Sequence, residues 1–326
     1  MKTIRINFVD FWKNFNPENS AIYNRLKKNW QVVISSEPDY LFYSCYGYEH
    51  LKYDCIRIFF TGENIVPDFN ICDYAIGFHD LNLGDRYRRI PLFSFRKNYT
   101  GLVDKKVIDR KKLLNRKFCN FLYSNKVNAH PVRKKFFDQL NEYKKVDSGG
   151  GYLNNLGYRV ADKTSFLSEY KFTLAFENST AEGYTTEKLI DPMSVLSMPV
   201  YWGNPKVGRD FNTSSFIHLK DASGPEILNA IERIIYLDQN DASYLEAMEE
   251  PWLYPEQVIQ SDNIYDDFLS QILSHPLSQA KRRAEYGFNG VYTNRLKNYI
   301  YKPSPGTKIL KRITAFSKKI LARISP

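Results

Sequence analysis

Apolar residues in the first eighty positions come in short runs. IRINFV (4–9), QVVIS (31–35), YLFYS (40–44), IRIFF (56–60) and YAIGF (74–78) are rich in β-branched and aromatic side chains and are often followed by turn signals. Runs of this length and composition read as buried strands. AIYNRLKKNW (21–30), between two of them, repeats its apolar positions at helical spacing and reads as an amphipathic helix.

A basic, loop-like stretch from about 96 to 116 interrupts the pattern, and the alternation then resumes. KFCNFLYSN (117–125) reads as a strand. PVRKKFFDQLNEY (131–143) reads as a helix with Phe136, Phe137, Leu140 and Tyr143 on one side. SFLSEY (165–170), TTEKLIDPMSVL (185–196) and EILNAIERIIYL (226–237) read as helices, the last with Ser223 and Gly224 at its start. FTLAFE (172–177), PVYWG (199–203) and SFIHL (215–219) read as strands. Two successive strand–helix alternations imply an α/β fold of two domains, each around a mostly parallel sheet. The expected division is 1–110 and 111–300, with a separate tail at 301–326.

Composition narrows the class. A chain of 326 residues, 43% apolar, is long enough for two cores. Cys45, Cys55, Cys72 and Cys119 form no C-x-x-C and no metal-type spacing with the five histidines, which points to a reducing compartment. MKTIRINFVDFWKNF at the start lacks an apolar run long enough for a signal peptide or a membrane span, so a cytoplasmic body is expected. The net charge of +10 is mainly a property of the tail: residues 301–326 hold seven Lys and Arg and no acid, leaving 39 basic and 36 acidic residues elsewhere. A second basic patch, KKVIDRKKLLNRK (105–117), is short, and neither patch comes with a zinc-finger, helix-turn-helix or RNP pattern. No nucleic-acid partner is expected.

Within the tail, Ile309, Ile313, Phe316, Ile320 and Ile324 form one apolar helical face, with Lys and Arg over much of the rest. Such a helix suits an anionic membrane surface, each cation contributing on the order of 1 kcal/mol. Docking on the protein itself is the other reading.

The densest polar cluster lies between two apolar strands, in AFENSTAEGYTTEKLI (175–190). In open α/β sheets, ligands sit beyond the carboxyl ends of strands, where the next helix starts. Thr185 or Thr186 is placed to cap that helix. Lys188 in its first turn opposes the helix dipole unless an anion sits in front. On spacing alone, Glu187 and Lys188 read equally as a solvated face. Arg133, beside Lys134 and Lys135, reads by itself as a surface charge, and glycines 149–151 as a flexible loop.

FENSTAEGYTTEK (176–188) followed by PVYWGNP (199–205) resembles the F-E-N-x-x-x-x-G-Y-x-T-E-K core of the GDP-fucose-dependent α-1,3-fucosyltransferases, especially the bacterial ones. IRIFFTGENIVPDFN (56–70), DYAIGFHDL (73–81), DRYRRIPLF (85–93) and SGGGYLNNLGYRV (148–160) extend the likeness in the same order, over about residues 1 to 255. The resemblance implies the GT-B type of α/β fold, two Rossmann-like domains facing a central cleft, with the acceptor on the N-terminal domain and GDP-fucose on the C-terminal one. It implies that Lys188 and Arg133 meet the diphosphate, that Glu187 accepts from the ribose hydroxyls, and that Asn178 and Tyr184 line the same site. Two fixed cations and helix N–H groups would stabilise the leaving GDP without a metal. The sequence contains no Asp-x-Asp, so neither a metal nor a cofactor beyond the donor substrate is expected.

A β-linked donor giving an α-linked product means inversion, which needs a base for the acceptor hydroxyl. Where the family carries Glu in an Asp-Glu-Leu sequence, this chain has His79 and Asp80. Asp80, one methylene shorter than Glu, is the candidate base, and His79 is its rival. The implied activity is α-1,3-fucosyl transfer to a GlcNAc-containing acceptor of the N-acetyllactosamine or Lewis type. Alternatives are mixed α-1,3/1,4 transfer, another GDP-sugar donor, or a non-catalytic glycan-binding protein on the same scaffold. Bacterial members carry similar basic amphipathic tails, which implies peripheral association with the inner face of the membrane; the family's heptad repeats are absent here.

Overall fold

In the computed structural model, residues 1–105, 109–124, 130–303 and 305–306 are described. They form two compact units, each with its own parallel sheet.

The first unit comprises Met1–Gly77, Leu81–Arg88 and the described residues from Asp262 onward. Its strands are β1 (Thr3–Val9), β2 (Gln31–Ile34), β3 (Tyr40–Tyr43), β4 (Ile56–Phe60), β5 (Tyr74–Gly77) and β6 (Tyr87–Arg89), in the order β2-β1-β3-β4-β5-β6. β1 pairs in parallel with both β2 and β3, and β3–β4 and β4–β5 are also parallel. Helix α1 (Ala21–Asn29) joins β1 to β2; Ser20 caps it by accepting from the Tyr23 N–H at 3.1 Å, and Ile22 and Leu26 are buried. β3 and β5 are buried throughout, as runs in the middle of a parallel sheet are. β2 is not the buried strand that QVVI suggests. Among the described residues it has one neighbour only, and Val33 and Ile34 are about 40% exposed. The helix Ser261–Ser274 adds Tyr265, Phe268, Leu269, Ile272 and Leu273 to this core, with the Phe268 ring edge-on to Tyr74 at 6.1 Å. Arg283, also buried, ion-pairs with the buried Asp73 and donates to the Cys55 carbonyl at 2.9 Å.

The second unit comprises Phe78–Asp80 and Arg89–Ser261. Its strands are β7 (Lys117–Phe121), β8 (Val146–Ser148), β9 (Tyr170–Phe176), β10 (Met198–Trp202) and β11 (Ile217–Leu219), all parallel in the order β11-β10-β9-β7-β8. The helices are α2 (Arg110–Leu114), α3 (Val132–Tyr143), α4 (Lys163–Leu167), α5 (Glu187–Ser194), α6 (Gly224–Gln239) and α7 (Asp241–Glu249). The loop expected over 96–116 contains a helix. Asp109 caps α2 by accepting from the Lys112 N–H at 2.8 Å. The helix expected over 165–170 starts two residues earlier and ends three earlier, at Lys163–Leu167, capped by Asp162. The direction of strand order reverses between β7 and β9, so the carboxyl ends of these two strands flank the point where such sheets leave a crevice.

Among the described residues no helix is long and apolar enough to cross a membrane. The apolar stripe from Ile309 to Ile324 lies outside the described residues.

Candidate active site

β9 ends at Phe176, and its chain direction carries on for one more residue: the Glu177 N–H donates to the Trp202 carbonyl at 2.8 Å. That bond draws the Glu177 side chain under the following loop, where it has no exposed surface. Its carboxylate accepts from the Thr186 N–H at 2.7 Å and from the Thr186 hydroxyl at 2.9 and 2.8 Å. Thr186, not Thr185, caps α5. The Lys188 ammonium lies 3.1 Å from Glu177, 3.4 Å from Glu187 and 3.0 Å from the Thr186 hydroxyl.

Burial by itself would lower the Lys188 pKa, but the Glu177 and Glu187 carboxylates outweigh it and raise it. Lys188 is therefore a fixed cation at neutral pH. Burial pushes the Glu177 carboxyl above its ordinary value, against Lys188 and the Thr186 hydrogen bonds. For Glu187, burial raises and the Lys188 and Lys163 charges lower; the net direction is down.

Arg133 lies on α3, which follows β7, and is buried rather than solvated as its Lys-rich neighbourhood suggests. Its guanidinium packs 4.2 Å from the Tyr123 ring centroid and donates to the Phe176 carbonyl at 2.7 Å and to Asn178 Oδ1 at 2.8 Å. Asn178 also accepts, through its carbonyl, from the His130 N–H at 3.0 Å. The Tyr123 hydroxyl donates to the Leu174 carbonyl at 2.7 Å and accepts from the Phe176 N–H at 2.6 Å; burial pushes this phenol up to about 12. Glycines 149–151 are not a free loop. A Cβ on Gly150 would lie 2.0 Å from the Tyr123 carbonyl oxygen, so only glycine permits this approach.

The same loop meets the 78–80 segment. Gly183, at φ +84°, donates its N–H to Asn204 Oδ1 at 2.9 Å, and a Cβ there would lie 2.4 Å from the Phe78 carbonyl oxygen. The Tyr184 ring, buried, sits 4.9 Å from the Phe78 ring. Arg89 fixes the segment from the other side, donating to the Phe78 carbonyl at 3.0 Å while its guanidinium holds Asp210 at 2.6 and 3.1 Å. Burial lowers the His79 pKa, which keeps the imidazole neutral at pH 7. Asp80 is solvent-exposed and pairs with Arg209 at 2.8 Å; this hydrogen bond and charge hold the carboxyl below its usual range.

All seven residues singled out from the sequence, His79, Asp80, Arg133, Asn178, Tyr184, Glu187 and Lys188, thus belong to the second unit. Glu177, Tyr123 and Arg209 are the structural partners that sequence reasoning did not single out, and Thr186, expected only as a helix cap, also binds Glu177 and Lys188. Chemically, the cluster offers one guanidinium and one ammonium beside the start of α5, with a carboxylate and an imidazole on the adjoining segment.

Comparison with known proteins places this arrangement. Residues 6–96 match the family model of the alpha-(1,3)-fucosyltransferase FucT N-terminal domain, and residues 111–270 match the C-terminal model of glycosyltransferase family 10 (fucosyltransferase). The chain is 35% identical over 276 residues to an alpha-(1,3)-fucosyltransferase FucT of Helicobacter pylori, covering 72% of this chain and 56% of that one. It is 28% identical over 218 residues to a putative fucosyltransferase of Acanthamoeba polyphaga mimivirus, covering 61% of this chain and 34% of that one. The chain thus spans about half the length, or less, of these curated relatives. A solved α1,3-fucosyltransferase with GDP-fucose is 31% identical with a TM-score of 0.69, covering 84% of this chain and 92% of the other. A further α1,3-fucosyltransferase structure is 30% identical with a TM-score of 0.71, covering 84% and 91%. The α/β fold of GT-B type expected from the sequence agrees with both. With matching models on both halves of the chain, and with the buried Arg133 and Glu177 bonded to Asn178 and Lys188 of its F-E-N…T-E-K motif, the protein belongs to glycosyltransferase family 10, the fucosyltransferases.

Proposed function

We propose that this protein is an inverting α-1,3-fucosyltransferase that moves L-fucose from GDP-β-L-fucose to a GlcNAc-containing acceptor of the N-acetyllactosamine type. The observation that carries this reading is the convergence of Arg133, Lys188 and the capped start of α5 beside the β7/β9 reversal, in a chain 31% identical to a transferase solved with GDP-fucose. On this reading the bond between fucose C1 and the β-phosphate oxygen breaks as the acceptor oxygen attacks from the opposite face. Negative charge then grows on the leaving GDP. Arg133, Lys188 and the α5 N–H groups stabilise that charge through fixed donors, without a metal ion. Asp80 takes the acceptor proton. Its pairing with Arg209 keeps it ionised, and so able to accept, at neutral pH.

Glu177 has a specific part in this account. It holds the Lys188 ammonium in one place before any ligand arrives, at the expense of some of its attraction for an anion. The tail lies on an anionic membrane surface on the cytoplasmic side, where lipid-linked or surface-bound glycans are accessible. The direct test of the donor site is calorimetric titration of the protein with GDP, UDP and CMP. Binding of GDP alone supports the reading, and equal binding of UDP contradicts it.

A further inference from the structure

The first unit has its own reversal of strand order, between β1 and β3. Ligands of open α/β sheets gather beyond the carboxyl ends of the strands at such a point. What this sheet carries there is aromatic. After β1 ends at Val9, the chain places Phe11, Trp12 and Phe15 in mutual contact: Phe11 stacks on Phe15 at 4.0 Å, and Trp12 meets Phe15 edge-on at 5.0 Å. Phe60, the last residue of β4, stacks on Phe11 at 6.4 Å. From the end of β3 comes Tyr46, whose hydroxyl donates to Glu63 Oε1 at 2.9 Å. Trp12 is 47% exposed and Tyr46 52%, while Phe11, Phe15 and Phe60 are half-buried.

The turn that presents Trp12 is built rather than loose. Asp10 and Asn14, which bracket it, both adopt left-handed backbone, at φ +60° and +72°. Non-glycine residues hold that conformation only where their surroundings fix it. Asp10 is fixed by its side chain, which accepts from the N–H groups of Glu49 and His50 at 2.9 Å each and from His50 Nδ1 at 2.7 Å. The Asp10 carbonyl accepts from the Tyr46 N–H at 3.0 Å, so the two exposed aromatics hang from one turn. Gly47 completes it: a Cβ there would lie 2.3 Å from Asp10 Oδ1.

We propose that Trp12, Tyr46 and Glu63 form a sugar-binding platform that receives a pyranose ring of the acceptor oligosaccharide. The proposal rests on the fucosyltransferase reading for the identity of the glycan. The C–H face of a pyranose packs on a flat aromatic surface, while its hydroxyl edge needs a few fixed acceptors. Half-exposed rings from β1 and β3 supply the surface. The Glu63 carboxylate, already aligned by the Tyr46 hydroxyl, supplies the acceptor, and a hydroxyl bonded to a charged oxygen makes a short, strong bond.

The test uses the full-length protein with N-acetyllactosamine as probe and has two arms. In the turnover arm, Trp12→Ala raises the acceptor KM about tenfold, the size expected for loss of an aromatic stacking contact, and leaves the GDP-fucose KM unchanged; Trp12→Phe restores most of the acceptor affinity. In the binding arm, saturation-transfer NMR without donor shows the pyranose C–H protons saturated by wild type and not by Trp12→Ala. An unchanged acceptor KM in both Trp12→Ala and Tyr46→Phe overturns the platform, as does absence of saturation transfer to wild type. If wild type binds the disaccharide through Trp12 yet transfers no fucose, the platform stands and the transferase reading fails. Concentration-dependent dimerisation that Trp12→Ala abolishes would show instead that a second copy covers these rings, and would overturn the proposal.

Discussion

The ammonium of Lys188 lies 3.1 Å from a carboxylate oxygen of Glu177, a side chain with no exposed surface, and the Thr186 hydroxyl contacts both. Removing either partner has a defined cost. Lys188→Ala leaves the buried Glu177 without its counter-ion and should destabilise the protein by about 3–5 kcal/mol in urea unfolding. Glu177→Gln keeps the shape and should cost about 1–3 kcal/mol. Lys188→Ala should also weaken GDP binding in calorimetry; unchanged affinity would remove Lys188 from the diphosphate site. The folded-state Lys188 pKa is raised, so its contribution to stability is complete below the ordinary lysine value and is lost only as pH climbs through the higher one. Wild-type stability should therefore show a strongly alkaline loss that Lys188→Ala lacks.

These two residues also mark how far the sequence could be read. The strand runs at 40–44, 56–60, 74–78 and 172–177 are visible because buried parallel strands are continuous and apolar, and the run at 4–9 shows as an alternation that buries Ile4, Ile6 and Phe8. β2 shares that composition but lies at an edge, a fact of strand order that no local window contains. β6 and β8 are three residues each, too short to show a period. Arg133 looks solvated because its neighbours are lysines. Its burial comes from Phe176 and Asn178, more than forty positions away. Glu177 was visible only as one polar residue among several, since its partner Thr186 meets it through a loop closed by tertiary contacts. The helices after residue 260 carry apolar positions, but nothing local reveals that they join the N-terminal sheet.

Asp80 and Arg209 carry the pH dependence. Asp80→Asn should lower kcat by roughly 100-fold or more, the usual contribution of a general base, with GDP affinity near wild type. His79→Ala should be milder. Because Arg209 depresses the Asp80 pKa, the acid limb of the kcat–pH profile should lie below the ordinary aspartate value, and Arg209→Ala should move it upward. If His79→Ala is inactive and Asp80→Asn nearly wild type, the two roles are reversed.

Gly183→Ala should displace the Phe78–Asp80 segment, because the added methyl meets the Phe78 carbonyl oxygen at 2.4 Å on a left-handed backbone. The expected result is a stability loss of about 1–3 kcal/mol and a fall in kcat, read by thermal unfolding and initial rates. Wild-type values in both would show that the loop and the segment adjust independently.

Deleting residues 306–326 removes six cations and no acid, along with the Ile309-Ile313-Phe316-Ile320-Ile324 face. Binding to anionic vesicles should disappear, and turnover of a soluble acceptor should stay nearly intact. Binding of the full chain should weaken with added salt as the Debye length shortens. A truncated protein that unfolds, or that no longer turns over a soluble acceptor, would show that the stripe packs on the protein instead.

The most direct measurement is a donor screen: purified protein with N-acetyllactosamine, several nucleotide sugars and EDTA present throughout, read by nucleotide release and by the linkage of the product. The account predicts GDP release from GDP-fucose with an α-1,3-fucosylated product, undiminished by chelator. Release from a different nucleotide sugar alone, or turnover lost in EDTA and restored by manganese, would contradict it.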